Sequence, residues 1–291
     1  SNVGAAHASD YVSNEQMYHM IRQFGFGEKT GIDVNGEQRG ILRPPESWSA
    51  RTKPTIAIGQ EIAVSAIQLI SAATVFTNQG VLIKPQIIRQ IVGPDGNTIQ
   101  SFAREPVRQV LSPGIADSML EMMSAATQDG TGRRAKTEGV SIAAKTGTAQ
   151  MLDPETGKYS ETAFIASTIG IFPAERPRII AYTAIIHPKS GDIYGGRIAA
   201  PTINKIAEFL IPYLGIPKSS DIQAVENNSI RIEQSALPPI SDKIPDLRGL
   251  PKRTIMPLFE SAPFKLEISG NGWVTYQNPA PGSPFNEDTV L

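Results

Sequence analysis

The sequence contains no cysteine, and this absence excludes disulfides, thiolate metal sites and cysteine nucleophiles. Only three histidines occur, and their wide separation along the chain argues against a histidine-rich metal centre. No sign of charge dominates, because 27 Lys and Arg residues stand against 28 Asp and Glu, for a net charge of -1. A near-neutral chain without a basic cluster lacks the electrostatic signature of nucleic-acid or anionic-membrane binding. No apolar run reaches the ~18 residues of a transmembrane helix.

The 291 residues, of which 40% are hydrophobic, suffice for a full core and suggest two domains. Composition changes after Gly215, where Pro, Ser, Asn and Gln replace periodic apolar residues. Residues 1–215 are therefore predicted to form a large domain and residues 216–243 a linker. A small module is predicted over residues 244–291, with a helix near 251–262 and strands near 264–268 and 273–277.

Capping residues and apolar periodicity predict four long helices in the large domain. The first follows Ser13 and the second covers residues 65–79. The third starts at Ser112-Pro113 and the fourth covers residues 201–213. For the second helix the predicted buried stripe is Ile67, Ile70, Ala73 and Phe76. For the third helix it is Ile115, Met119, Met122 and Ala126. Residues 25–54 are predicted to be a long irregular connection, because they are rich in Gly and Pro.

Three strands are predicted in the second half of the large domain, over residues 140–151, 163–172 and 178–187. Residues 173–177, which include two prolines, separate the last two strands and predict an antiparallel hairpin. A further turn is predicted at residues 94–97, between two short strands.

The segment with most chemical information is Lys145-Thr146-Gly147-Thr148. Because side chains alternate along a strand, Lys145 and Gly147 share one face, where the lysine supplies positive charge beside a gap. The two threonines offer hydroxyls to a carboxylate, and an edge strand can pair with an extended peptide. One backbone amide could also serve in an oxyanion hole. From these residues alone, a plain surface turn remains the alternative.

This segment resembles the K-T-G box of penicillin-binding proteins and serine β-lactamases. Flanking segments are similar to those of class B penicillin-binding proteins in the same order, and they cover roughly residues 1–215: Ser1-Asn2-Val3-Gly4, Ile58-Gly59-Gln60, Asn78-Gln79-Gly80, Gly130-Thr131-Gly132, residues 165–174 and residues 194–201. The order of many segments is more specific than any single motif.

The resemblance implies an α+β fold, with an antiparallel sheet flanked by helices. It implies a peptidoglycan D,D-transpeptidase that works through a serine acyl-enzyme and is acylated by β-lactams. Such a protein acts outside the bacterial cytoplasmic membrane and is anchored by an N-terminal helix. Stem peptides and divisome proteins are its expected partners, and it needs no metal or other cofactor.

The resemblance also implies roles for individual residues. Lys145 supplies electrostatics near the serine of the S-x-N box, whose asparagine corresponds to Asn2. Thr146 and Thr148 bind the substrate carboxylate, and the Thr148 amide is an oxyanion donor. Gly147 provides clearance for the substrate, and Gln150 lies on the same strand as a further substrate contact.

The sequence departs from the family at the nucleophile. In these enzymes the substrate acylates the serine of an S-x-x-K box. None of the twelve lysines in this sequence has a serine three residues before it. We therefore expect this chain to be the C-terminal part of a longer protein and to be inactive alone. The alternative is a non-catalytic protein that binds peptidoglycan or serves as a divisome scaffold.

The small module resembles a PASTA domain through Pro245-Asp246-Leu247-Arg248-Gly249 and residues 277–282. Pro257 departs from the usual pattern and is expected to kink or shorten the module's helix. The chain stops at Leu291, where the last strand of that domain would continue. The module favours a role in cell division over one in elongation, by association only.

Overall fold

A computed structural model describes residues 2–153, 155–189, 191–218, 237–240 and 242–291, with only the backbone of Glu260. The chain divides into two compact units. The first comprises Ser1–Lys136 and Ser141–Ile203, and the second Thr137–Val140 and Asn204–Leu291. Most of the predicted linker, residues 219–236 and 241, lies outside the described residues. The predicted domain boundaries therefore stay predictions.

A three-stranded antiparallel sheet organises the first unit. Its strands are β5 (Ala143–Leu152), β6 (Tyr159–Phe172) and β7 (Ile179–Ile186), in the order β5-β6-β7. The three predicted strands and the hairpin at residues 173–177 are therefore confirmed. Two smaller antiparallel pairs join β1 (Val81–Ile83) to β4 (Pro106–Gln109) and β2 (Gln90–Val92) to β3 (Thr98–Ser101). The β2–β3 hairpin contains the predicted turn at residues 94–97.

Helices pack on both faces of the main sheet. On one face, α4 (Ala66–Thr77) and α5 (Pro113–Asp129) share a hydrophobic cluster with the sheet residues Ala143 and Ile171. On the other face Gly170 lies against Ile203, and a Cβ added to this glycine would lie 2.5 Å from the isoleucine Cγ2. Ile203 belongs to α7 (Ala200–Tyr213), which follows the short α6 (Gly195–Ile198).

The sequence signals for helix starts are confirmed at three places. Ser13 forms a capping box with Gln16 at the start of α2 (Asn14–Gln23), and Ser65 forms one with Gln68 at α4. Ser112 precedes Pro113 at α5, although its side chain makes no capping hydrogen bond. Residues 25–54 are mostly irregular, apart from a 3₁₀ turn at Pro45–Ser47 and the start of α3 (Thr52–Ala57).

The predicted buried stripe of α5 was wrong by one residue. The helix buries Ala116, Leu120, Met123 and Thr127, whereas Ile115 is 53% exposed and Met122 is 59% exposed. Its sequence carries two apolar stripes that are offset by one position, which is about 100° around the helix axis. Packing of Leu120 and Met123 into the cluster with Ala143 and Ile171 selects the second stripe.

The predicted stripe of α4 was also wrong, since Ala73 is its only fully buried member. The helix instead buries Gln68, Ser71, Ala72, Ala73 and Val75, and Ile67, Ile70 and Phe76 are half-buried. Polar burial is possible because the Gln68 amide donates to the carbonyls of Glu28 and Arg39, and the Ser71 hydroxyl donates to that of Ile83.

The second unit contains a small core of its own, formed by Ile244, Leu247, Ile255, Leu258, Phe264 and Leu291. The predicted helix is split into α8 (Lys252–Ile255) and α9 (Leu258–Ser261), and Pro257 lies at the position directly before the second piece. The predicted strands near residues 264–268 and 273–277 were wrong as continuous strands, because these segments form only isolated bridges with other described residues, such as Pro251 with Trp273. Within the described residues, no helix is long and apolar enough to cross a membrane.

Candidate functional site

The candidate site lies along β5, which has β6 on one side and no paired strand on the other within the described chain. Register pairs Lys145 with Ile169 and Gly147 with Ser167, so Lys145 and Gly147 share one face of the sheet, as predicted. The Lys145 Nζ donates a hydrogen bond of 2.6 Å to the Thr146 carbonyl. Although this residue is open to solvent, partial desolvation of the ammonium lowers the pKa of Lys145.

Gly147 lies close to its cross-strand neighbour. A Cβ at this position would lie 2.7 Å from the Ser167 Oγ, so a larger residue here would require the serine side chain to rotate. The absence of a side chain therefore leaves the surface beside the Lys145 ammonium open.

Thr146 and Thr148 lie on the opposite face of β5, and both hydroxyls have partners. The Thr146 Oγ1 lies 2.9 Å from the Thr131 Oγ1, in a hydrogen bond where either hydroxyl can donate. The Thr148 Oγ1 accepts a hydrogen bond of 3.2 Å from the Gly195 amide. A backbone amide can only donate, so the Thr148 proton is free to point at another acceptor.

The turn Gly130-Thr131-Gly132 holds Thr131 next to β5. The amides of Gly130 and Gly132 both donate to the Ala126 carbonyl at 3.1 Å, which closes the turn directly after α5. A Cβ on Gly130 would lie 2.7 Å from that carbonyl oxygen, and one on Gly132 would lie 3.2 Å from it. A side chain at position 130 would therefore push the turn away from the helix end, because the atom it meets is a backbone oxygen, whereas position 132 is only tightly packed.

The start of α6 crosses β5 and β6 at very short range. A Cβ on Gly195 would lie 2.2 Å from the Ser167 carbonyl oxygen and 2.3 Å from that of Gly147. The buried Thr168 hydroxyl lies 2.8 Å from the Ser167 carbonyl and 3.2 Å from the Gly195 carbonyl, so its single proton is shared between these two acceptors. The absence of a side chain at Gly195 therefore allows the start of α6 to pack directly on β5 and β6.

Two predicted site residues have other surroundings. The Gln150 amide donates to the Ser160 carbonyl at 3.1 Å and so ties β5 to β6. Asn2 begins α1 (Asn2–Ser9), which packs on α3, and no side-chain hydrogen bond joins it to β5 in the part of the chain that is described. The structure thus brings together Lys145, Thr146, Gly147 and Thr148. The roles of these four residues, and those of Gln150 and Asn2, stay predictions.

Thr131, Gly195 and Gly196 were not predicted as site residues. Their segments were used only as family landmarks, although G-T-G after a helix and G-G before one are signals of close backbone approach. Their contacts depend on tertiary packing, which local sequence patterns do not encode.

An ammonium, two hydroxyls and a strand edge suit an extended peptide that carries a carboxylate. Nothing in the described ranges forms a group of three His, Asp or Glu residues that could hold a metal ion. The arrangement can bind and polarise such a ligand. It contains no serine that is paired with a lysine in an S-x-x-K spacing.

Comparison with known proteins identifies the family to which most of the chain is similar. The family model described as the penicillin binding protein transpeptidase domain matches residues 1–208. Stage V sporulation protein D of Bacillus subtilis is 31% identical over 295 residues, which cover 100% of this chain and 44% of the relative. PbpB of Mycobacterium tuberculosis is 33% identical over 229 residues, which cover 76% of this chain and 34% of that protein.

Solved structures give the same fold. Penicillin-binding protein 3 of Mycobacterium tuberculosis, in complex with ampicillin, aligns with a TM-score of 0.70 and 33% identity, over 76% of this chain and 50% of that one. The predicted α+β fold, an antiparallel sheet with flanking helices, is confirmed for the large domain. The chain spans less than half the length of the two curated relatives named above.

Proposed function

Since the chain belongs to the class B penicillin-binding protein transpeptidase family, we propose that it forms part of a peptidoglycan D,D-transpeptidase that β-lactams acylate. The observation that carries this proposal is the β5 edge, where the Lys145 ammonium and the Thr146 and Thr148 hydroxyls flank a glycine. Relatives include proteins named probable peptidoglycan D,D-transpeptidase PenA in Neisseria meningitidis and peptidoglycan D,D-transpeptidase FtsI in Escherichia coli.

The proposed reaction has two steps. A serine hydroxyl attacks the penultimate D-Ala carbonyl of a stem peptide, the amide C–N bond breaks, and terminal D-Ala leaves with the serine proton on its amine. An amine of a second stem then attacks the resulting ester, forms the cross-link and restores the serine hydroxyl. Because no S-x-x-K box occurs in this sequence, the serine and its activating lysine come from residues outside it.

The residues of β5 take the positioning and electrostatic roles. Lys145 lies near the serine of the S-x-N box and favours negative charge at the reacting centre. Thr146 and Thr148 bind the terminal carboxylate, and the Thr148 amide donates to the developing oxyanion. Gly147 provides clearance, and Gln150 contacts substrate further along the strand. Asn2 is the asparagine of S-x-N and contacts the substrate amide.

The remaining assignments concern the small module and the intact protein. Residues 244–291 form a PASTA domain behind a linker over residues 216–243, supported by the two sequence segments that resemble that family. The intact protein is anchored by an N-terminal helix and acts outside the bacterial cytoplasmic membrane, with divisome proteins as partners. It works without a cofactor.

Turnover of a D-Ala-D-Ala peptide by the intact protein tests the proposal. Lys145→Ala is expected to lower kcat/KM by about 10²-fold, the size seen when a preorganised electrostatic group is removed. Lys158→Ala, a matched change at an exposed lysine in the β5–β6 turn region, is expected to leave kcat/KM unchanged. The 291-residue chain alone is expected to show no turnover.

Two results would contradict the proposal. Turnover by the 291-residue chain would show that the nucleophile lies within it. An intact protein that neither turns over the peptide nor reacts with penicillin would favour the alternative, a non-catalytic peptidoglycan-binding or divisome scaffold protein.

A further inference from the structure

The hydrogen bond between Thr131 and Thr146 connects the G-T-G turn to a residue that we assign to carboxylate binding. The two Oγ1 atoms are 2.9 Å apart. We propose that Thr131 is a positioning residue that donates its proton to the Thr146 hydroxyl, so that the Thr146 proton is directed at the substrate carboxylate. This inference rests on the proposed function and adds a residue to it.

Counting protons gives the direction of the hydrogen bond. Each threonine hydroxyl has one proton, and a carboxylate can only accept. If Thr146 donated to Thr131, it would have no proton left for the ligand. Binding of a carboxylate therefore selects the arrangement in which Thr131 donates to Thr146 and Thr146 donates to the ligand.

The neighbouring threonine shows the same arrangement with a fixed direction. The Thr148 Oγ1 accepts from the Gly195 amide at 3.2 Å, which leaves its own proton for the ligand. Both hydroxyls of the carboxylate site therefore have a donor behind them. For Thr148 the donor is backbone, and for Thr146 it is the side chain of Thr131.

Thr131 is held in place from two sides. The glycines on either side of it both hydrogen-bond the Ala126 carbonyl, which fixes the turn to the end of α5. A Cβ on Gly196 would lie 2.3 Å from the Thr131 carbonyl oxygen, so α6 packs directly against the turn. The Thr131 side chain is nevertheless exposed, and its replacement leaves the core intact.

The test measures acylation of the intact protein by benzylpenicillin and by its methyl ester, which lacks the carboxylate charge. Thr131→Val keeps the shape and removes the donor. We expect it to slow acylation by benzylpenicillin about fivefold, as for one lost hydrogen bond. The loss should appear in the binding constant and leave the limiting acylation rate unchanged, and acylation by the methyl ester should be unaffected.

Matched variants separate positioning from structure. Thr131→Ser retains the hydroxyl and is expected to react like the wild type. Thr98→Val makes the same chemical change on the exposed strand β3 and is expected to have no effect. If Thr131→Val does not fold, Thr131→Ala removes the donor without adding bulk, and the same loss is expected.

The outcomes distinguish the two proposals. An unchanged rate in Thr131→Val, or an equal loss with benzylpenicillin and its ester, would overturn the role of Thr131 while acylation of the wild type upheld the proposed function. A wild type that reacts with neither compound would refute the proposed function, and the role of Thr131 would be refuted with it.

Discussion

Substitution of Gly195 by alanine tests how α6 is seated against the candidate site. The added Cβ would lie 2.2 Å from the Ser167 carbonyl oxygen, 2.3 Å from that of Gly147 and 3.0 Å from the Ser167 amide nitrogen. Non-bonded heavy atoms in contact are normally about 3.5–4.0 Å apart. All three atoms are backbone and cannot rotate away, so the start of α6 must move away from β5 and β6 by about 1.3–1.8 Å, the difference between the closest approach of 2.2 Å and a normal contact.

This movement has two energetic consequences. Overpacking of a well-packed site costs about 1–3 kcal/mol. The hydrogen bond from the Gly195 amide to the Thr148 hydroxyl would also lengthen or break, at about 1 kcal/mol. We therefore expect Gly195→Ala to lower the free energy of unfolding by about 2–4 kcal/mol.

Denaturant unfolding of the wild type and the variant measures this loss. Gly114→Ala is the matched control, because its added Cβ at the start of α5 meets no atom within 4 Å apart from its chain neighbours and the backbone of its own helix. Alanine is favoured over glycine in helices by up to about 1 kcal/mol, so the control should be neutral or stabilised. A Gly195→Ala variant that unfolded within about 0.5 kcal/mol of the wild type would refute the close packing of α6, since changes of that size are typical of surface sites.

Three further predictions follow from packing and charge. In denaturant unfolding, replacement of the buried Met123 by alanine should lower the free energy of unfolding by about 2–5 kcal/mol. Replacement of the exposed Met122 by alanine should lower it by less than about 0.5 kcal/mol. Equal losses would contradict the observed buried face of α5. Because desolvation lowers the pKa of Lys145, the folded state binds fewer protons and stability rises with pH just below 10.5, the ordinary value. The unfolding midpoint measured against pH should therefore rise less in Lys145→Met than in the wild type. Identical pH profiles of the two proteins would contradict the lowered pKa of Lys145. The Arg248 guanidinium lowers the pKa of Asp246 to about 2. Arg248→Gln should raise the pKa of Asp246 towards its ordinary value in an NMR titration, whereas an unchanged midpoint would exclude this ion pair as the cause.

Features that depend on neighbouring residues could be predicted from the sequence. The capping boxes at Ser13 and Ser65 and the β6–β7 hairpin need only local hydrogen bonds and turn residues. The shared face of Lys145 and Gly147 follows from strand alternation, and register confirms it. Each of these features is determined by residues that lie within a few positions of one another in the sequence.

Features that depend on packing partners could not be predicted. Helix α5 carries two apolar stripes, and only contact with Ala143 and Ile171 selects between them. Gln68 is buried because carbonyls from two distant segments accept its amide hydrogens. Thr131 and Thr146 are fifteen positions apart, and the fold alone brings their hydroxyls together.

We infer that the carboxylate of a substrate or β-lactam binds at the edge of β5. A crystal structure of the intact protein acylated by benzylpenicillin would show where this carboxylate lies. We expect a ligand carboxylate within about 2.7–3.1 Å of the Thr146 and Thr148 hydroxyls, with the Thr148 amide donating to the acyl carbonyl oxygen. A covalent adduct whose carboxylate lies away from both threonines would contradict it.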